Sequence, residues 1–340
     1  VADVTPRRPP RGDAEARSDR PDDDRGQLVL VGALALAVLF VALAMLLNTA
    51  IYSGNLATRT VASDAETILE YHGSAVDVTE RALVTANVHN ASSYEDLHGT
   101  VRDVVAAWDA GASLHRAVTG DISEVRVVET VNGTHLEQTT VRNFTNESRE
   151  PDWTVAEEIT AYRDFTMTVE RDQLFDLSLS EEEFEDYNDY AAAGVLTVKV
   201  TAASEEYTAF IGDDGSDVSV AVFRSTTLIQ RCTANPGADG EVTVDFSNGS
   251  VGGQPCDALA FVDDVDGTFE LAIADGNAVL GTYSLVTDTT ADRYDEDFHA
   301  DAAAGSPVRT PALYAVDVSI RYRGASTYYR ATVEVTPDAE

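Results

Sequence analysis

Lysine is nearly missing from this 340-residue chain: Lys199 stands alone beside 22 arginines. Basic groups number only 23 against 59 acidic ones, a formal net charge of −36. No basic patch stands out from that field, which excludes nucleic acid as a partner class. Compact catalytic signatures are missing as well: there is no H-E-x-x-H, no G-x-S-x-G, no P-loop and no G-x-G-x-x-G. The chain therefore reads as a non-enzyme with no cofactor, although a triad assembled from distant residues needs no motif. Histidines are few and scattered, at His72, His89, His98, His115, His135 and His299, and exposed polar placement is the default for all six. Long apolar runs are absent too, with one exception near the start.

What is present begins with the charge. Carboxylates crowd the turns, as in residues 180–189 (SEEEFEDYND) and 292–297 (DRYDED). Self-repulsion on this scale is relieved by screening, since the Debye length falls to about 3 Å near 1 M salt. The composition reads as salt-adapted. Hydrophobic residues make up 44% and are patterned, which argues against a disordered chain. Asp213-Asp214-Gly215-Ser216-Asp217 and Asp263-Asp264-Val265-Asp266-Gly267 invite a calcium reading, but neither fits the calcium-loop template, and no metal site is expected. The only cysteines, Cys232 and Cys256, read as a disulfide if they lie outside the cell, with two free thiols as the alternative.

The exception is residues 28–47, twenty uncharged and almost wholly apolar positions directly after Arg25-Gly26-Gln27. At about 1.5 Å per residue such a helix covers roughly 30 Å, the thickness of a bilayer's hydrocarbon core. Arg7, Arg8, Arg11, Arg17, Arg20 and Arg25 precede it, and the first basic residue beyond it is Arg59. The positive-inside rule then puts the N terminus in the cytoplasm and the rest of the chain outside a cell membrane that it crosses once. A cleaved secretory signal and a plain uncleaved anchor are both open readings of the same stretch.

Arg25-Gly26-Gln27, with a charged leader before it and an apolar helix at once after it, resembles the class III signal of archaeal type IV pilin-like proteins. Residues 25–59 also look like the opening of a group of uncharacterised haloarchaeal surface proteins. The resemblance implies a prepilin peptidase cutting between Gly26 and Gln27, and pilin-like subunits packing through the freed helix. Val31 stands where bacterial pilins carry a glutamate. On this basis the expected function is structural, as a minor subunit or assembly factor of a type IV pilus-like filament. The alternatives are a permanently anchored envelope module that binds a glycan, a solute or a surface protein, and third an extracellular enzyme.

The fold class expected is α+β. Residues 1–26 form a disordered leader, 27–52 the membrane helix, 53–120 a helical stalk and 121–340 a β-rich antiparallel, sandwich-like domain with a possible division near 180–193. In the stalk, Val61, Ala65, Ile68 and Leu69 keep helical spacing and Gly73 is a stop. A second helix opens on a capping box at Ser93-x-x-Asp96 and carries one stripe, Leu97, Val101, Val104, Val105, Trp108 and Ala112, with Trp108 as a core residue. Gly120 closes it. Residues 125–131 and 134–141 read as a hairpin turning on Asn132-Gly133. Further strands are expected at 165–170, 195–201, 207–211, 218–224, 241–246, 269–273 and 279–286, then a hairpin of 314–322 and 328–335. Asn90, Asn132, Asn143, Asn146 and Asn248 each head an N-x-S/T triplet and are candidate glycosylation sites, with Asn132 at the expected hairpin tip.

Overall fold

A computed structural model of the chain describes residues 22–89, 93–179, 184, 186–325 and 327–337. The chain forms two compact units, Val1–Ala65 and Glu66–Glu340. Helix α1 (Asp22–His89) begins in the first and ends in the second. Within the first unit, Val29–Ile51 is the one helical stretch among the described residues long and apolar enough to cross a membrane, and none of it is buried. Its 23 residues reach about 34 Å as a helix. Residues 22–26, placed by the sequence in a disordered leader, belong to this helix, and the rest of the leader lies outside the described residues.

In the second unit α1 is part of the core and not a free stalk. Tyr71, Ala75, Thr79, Ala82, Leu83 and Ala86 form a buried stripe at spacings of three and four. Gly73 does not stop the helix, because the stripe runs past it and tertiary packing offsets the roughly 1 kcal/mol that glycine costs in a helix interior. Helix α2 (Tyr94–Thr119) keeps its expected ends: the Ser93 hydroxyl accepts from the Asp96 amide, and Gly120 closes it at φ 87°. Leu97, Val101 and Val105 are buried, and Trp108 stacks on Tyr71 at 5.6 Å between ring centroids.

Both helices pack on strands β1 (Ile122–Asn143) and, from the C-terminal end, β13 (Val308–Arg323) and β14 (Tyr328–Val335). The hairpin expected at Asn132-Gly133 does not exist. β1 is a single 22-residue strand that pairs β13 along most of its length and β12 (Leu280–Thr287) along the remainder. Neither Asn132 nor Gly133 has the positive φ that a two-residue hairpin turn needs. Gly133 serves close approach instead, since a Cβ there would stand 2.4 Å from the Thr287 carbonyl oxygen.

Between these lie β2 (Trp153–Ile159), β3 (Tyr162–Glu170), α3 (Tyr187–Ala193), β4 (Leu196–Ala202), β5 (Glu206–Asp213), β6 (Val218–Arg224) and β7 (Thr227–Ala234), then β8 (Glu241–Asp245), β9 (Ser250–Val251), β10 (Gln254–Pro255) and β11 (Phe269–Ala274). An eight-stranded antiparallel sheet has the order β10-β9-β8-β3-β12-β1-β13-β14, and a six-stranded one β2-β11-β4-β5-β6-β7. The second sheet draws β2 from before residues 180–193 and the others from after, so no division falls there. One buried cluster joins Leu136, Phe165, Met167 and Leu285 of the first sheet to Val198, Val200, Val220 and Leu271 of the second. Cys232 on β7 is bonded to Cys256, closing a loop of sequence separation 24. The chain-entropy model assigns such a loop about 3.5 kcal/mol of stabilisation.

Candidate functional site

α1 crosses the eight-stranded sheet where the ladder is irregular. Val131 pairs Ala315 and Asn132 pairs Leu313, which leaves Tyr314 as an extra residue of β13. The bulge puts Leu313 and Val316 into the same helix-side core. Asn87 of α1 bonds Leu313 twice, its amide nitrogen donating to the carbonyl oxygen at 3.0 Å and its oxygen accepting from the Leu313 N–H at 2.8 Å. Arg163 on β3 satisfies the same turn of backbone, donating to the Leu313 oxygen at 3.2 Å and to the Tyr314 oxygen at 3.3 Å.

Beside this bulge a cleft of 610 Å³ opens between α1 and the sheet. Its polar wall holds His135 and Glu137 of β1, Arg163 and Asp164 of β3 and Glu80 of α1; its apolar wall includes Val84, Val88, Val286 and Ala312. Arg163 is 12% exposed and pairs with the adjacent Asp164, whose backbone is left-handed at φ 56°. Burial pulls the Arg163 pKa down and Asp164 opposes that fall. His135 sits with Nε2 at 2.8 Å from the Ser284 hydroxyl. Burial pushes its pKa below the ordinary 6.5, with Arg163 adding to the shift and Glu137 and Asp164 opposing it. The ring is therefore neutral at pH 7, a hydrogen-bonding group and not a cation.

A serine–histidine contact is the first half of a hydrolytic triad, but no carboxylate bonds the other ring nitrogen of His135 among the described residues. No group of three His, Cys, Asp or Glu among the described residues is placed to hold a metal ion. What the arrangement can do is hold a mostly apolar ligand with a few polar groups, the ordinary make-up of a small-molecule pocket.

His135 and Arg163 were not singled out in the sequence. The default of an exposed histidine holds at His115 and fails at His135, which is half-buried on a strand, at His98, whose Nε2 is 2.7 Å from the Asn132 side-chain oxygen, and at the half-buried His72 and His299. The alternation around Leu136 was the available signal for His135, since it puts residues 135 and 137 on the face away from the inter-sheet core. Nothing in the sequence marks Arg163.

The glycosylation candidates separate. Asn132 lies in the middle of β1 and contacts α2, so its expected position at a hairpin tip is overturned. Asn146 is 2% exposed and donates to Glu150 and Asp297. Asn143 is half-buried and donates to the Asn277 oxygen at 2.6 Å. Asn248 is exposed in a turn, held by a single side-chain bond to Asp245. Asn90 lies outside the described residues. Gly26 and Gln27 fall within α1. The 213–217 turn uses its carboxylates internally: Asp213 accepts from Arg171 and the Gly215 amide, and Asp214 from the Asp217 amide.

Residues 22–165 match the model of a family of unknown function, DUF7261. The match runs from the start of α1 to the middle of β3, and so takes in the apolar helix, α2, β1 and the Arg163–Asp164 pair. Neither the curated proteins nor the solved structures give a match to the chain.

Proposed function

We propose that this chain is a single-span surface protein, N terminus in the cytoplasm, with a sandwich-like β-rich part outside the cell. On this reading its apolar helix, once cut between Gly26 and Gln27, packs with others in a pilin-like filament. The observation that carries the proposal is the division of labour within α1. Val29–Ile51 is apolar on all sides and unburied, whereas the same helix from Tyr71 to Ala86 is amphipathic and packed on a sheet. A helix apolar all round requires an apolar surrounding, either lipid or like helices. Mass spectrometry of the N-terminal peptide of protein taken from its own membranes tests it. A terminus at Gln27 is expected; a leader intact ahead of Arg25 overturns the filament reading and leaves a permanent anchor.

The cleft favours a second reading, an anchored binding module. Its apolar wall and its neutral histidine suit an uncharged ligand such as a glycan or a small solute. Substituting Val84→Trp, on the cleft wall at a position that is 43% exposed, would fill it, and loss of glycan or solute retention by the purified protein, with its melting unchanged, is the outcome that supports this reading.

A further inference from the structure

The two sheets end in four edge strands, β10 and β14 in one and β2 and β7 in the other. Exposed edges invite pairing with another chain, and proteins blunt them with short strands, bulges or charge. Three of the four are blunted. β10 has two residues, the pairing of β2 with β11 shifts register twice, and that of β7 with β6 shifts once. β14 is different: its eight residues pair β13 without a shift, from Val316 with Val335 to Arg323 with Tyr328. It carries no proline, and at about 3.3 Å per residue it offers a straight edge roughly 26 Å long.

The charges along β14 are unfavourably placed within the chain. Arg330 lies opposite Arg321, and Glu334 opposite Asp317. Like charges facing each other across a ladder are destabilising. Arg330 and Glu334 are both exposed, and neither forms an ion pair among the described residues. The surroundings are also atypical of so acidic a chain, since residues 317–335 hold three arginines and two carboxylates.

We propose that β14 pairs, antiparallel, with β14 of a second copy of this chain about a twofold axis through Thr332. In that register Arg330 of each copy meets Glu334 of the other, so each charge gains the opposite partner it lacks at home. Thr332 faces Thr332 on the same open surface. On the helix side Ala331 meets Val333 and Tyr329 meets Val335, apolar against apolar. Slipping the register by one pair in either direction sets Arg330 against Thr332 or Thr336, and slipping by two sets arginine on arginine or glutamate on glutamate. Sequence alone thus selects one register. No other edge has this property: β2 carries only the acids Glu157 and Glu158, and β7 only Arg231. Closure by twofold symmetry uses up both β14 edges and leaves only the two-residue β10 at each end of the joined sheet.

The test is sedimentation of the full chain in detergent, with charge reversals. Each single reversal, Arg330→Glu or Glu334→Arg, acts twice across the axis and is expected to weaken the dimer about tenfold or more. The double variant restores the opposite pairs and is expected to return to within about threefold of the parent. Thr332→Cys is expected to cross-link spontaneously under oxidation, whereas Tyr328→Cys, about 26 Å from its copy in this register, is not. A monomeric parent overturns the proposal. So does association through other surfaces, read as single variants that sediment like the parent, or a double variant no better than the singles. Circular dichroism of each variant separates loss of pairing from loss of fold.

Discussion

His135 is held in the cleft as a neutral ring, and charging it is penalised by burial. Its pKa lies below the ordinary 6.5 in the folded chain because burial penalises the cation. Between the folded and unfolded pKa values the unfolded chain binds more protons, so stability rises with pH through that window. The contribution is whole above about pH 6.5 and is lost as pH falls towards the folded value. His135→Gln keeps a hydrogen bond to Ser284 within reach and removes the titration. The fall in melting temperature on going from pH 7 to pH 5 is expected to be smaller in that variant than in the parent. Equal slopes would mean that the ring is already solvated. Taking the difference between variants is essential, because protonation of the many carboxylates relieves self-repulsion over part of the same range. The sequence concealed this residue because the cleft draws on α1, β1, β3, β12 and β13, and no local spacing connects them.

Two glycines that look like punctuation turn out to lie inside elements, for opposite reasons. Gly73 sits in α1 with nothing within 4 Å of the place its Cβ would take. Gly73→Ala is expected to stabilise the unit by about 0.5–1 kcal/mol, the ordinary helix-propensity gain. Gly133 sits between β12 and the bulge in β13, where a Cβ would also stand 3.0 Å from that of Tyr314. Gly133→Ala is expected to cost about 2 kcal/mol or more, because two strands and not a flexible side chain would have to move. Urea unfolding of the pair should show shifts of opposite sign, and a stabilised Gly133→Ala would contradict the close packing of the three strands. The cleanly alternating β13–β14 hairpin was nearly legible, and β6, an apolar run buried on both faces, was legible to the residue. β2 and β7 were not. β2 contains Glu158 at φ 53° among register shifts, and β7 exposes Leu228 and Ile229 on an edge, so neither keeps the alternation of a half-buried strand.

At the scale of the whole molecule the decisive question is where the β-rich unit begins. Read by sequence, residues 53–120 are a helical stalk ahead of the β-rich part. The packed structure says otherwise for the part from Glu66 onward, since Tyr71, Leu83 and Ala86 share a buried cluster with Leu97, Val318, Ile320 and Tyr322. Helical periodicity was visible in that segment, but which surface would cover its stripe was not, because two of the partner strands, β13 and β14, lie more than 200 residues further along. A chain starting at Glu66 keeps the cluster whole and sheds the apolar helix, and is expected to be soluble with a cooperative melt. One starting at Ser93 keeps α2 on the sheet but strips from the same cluster the α1 side chains Tyr71, Ala75, Ala82, Leu83 and Ala86. Removing large buried side chains from such a core costs about 2–5 kcal/mol each, which several together multiply beyond the 5–15 kcal/mol that holds a typical domain. That shorter chain is expected to aggregate or bind a hydrophobic dye, as size-exclusion chromatography and dye fluorescence would show. If it were instead as soluble and as cooperative as the longer one, α1 would be a stalk after all. Asn87 and its two bonds to Leu313 would then not be what holds the cleft open.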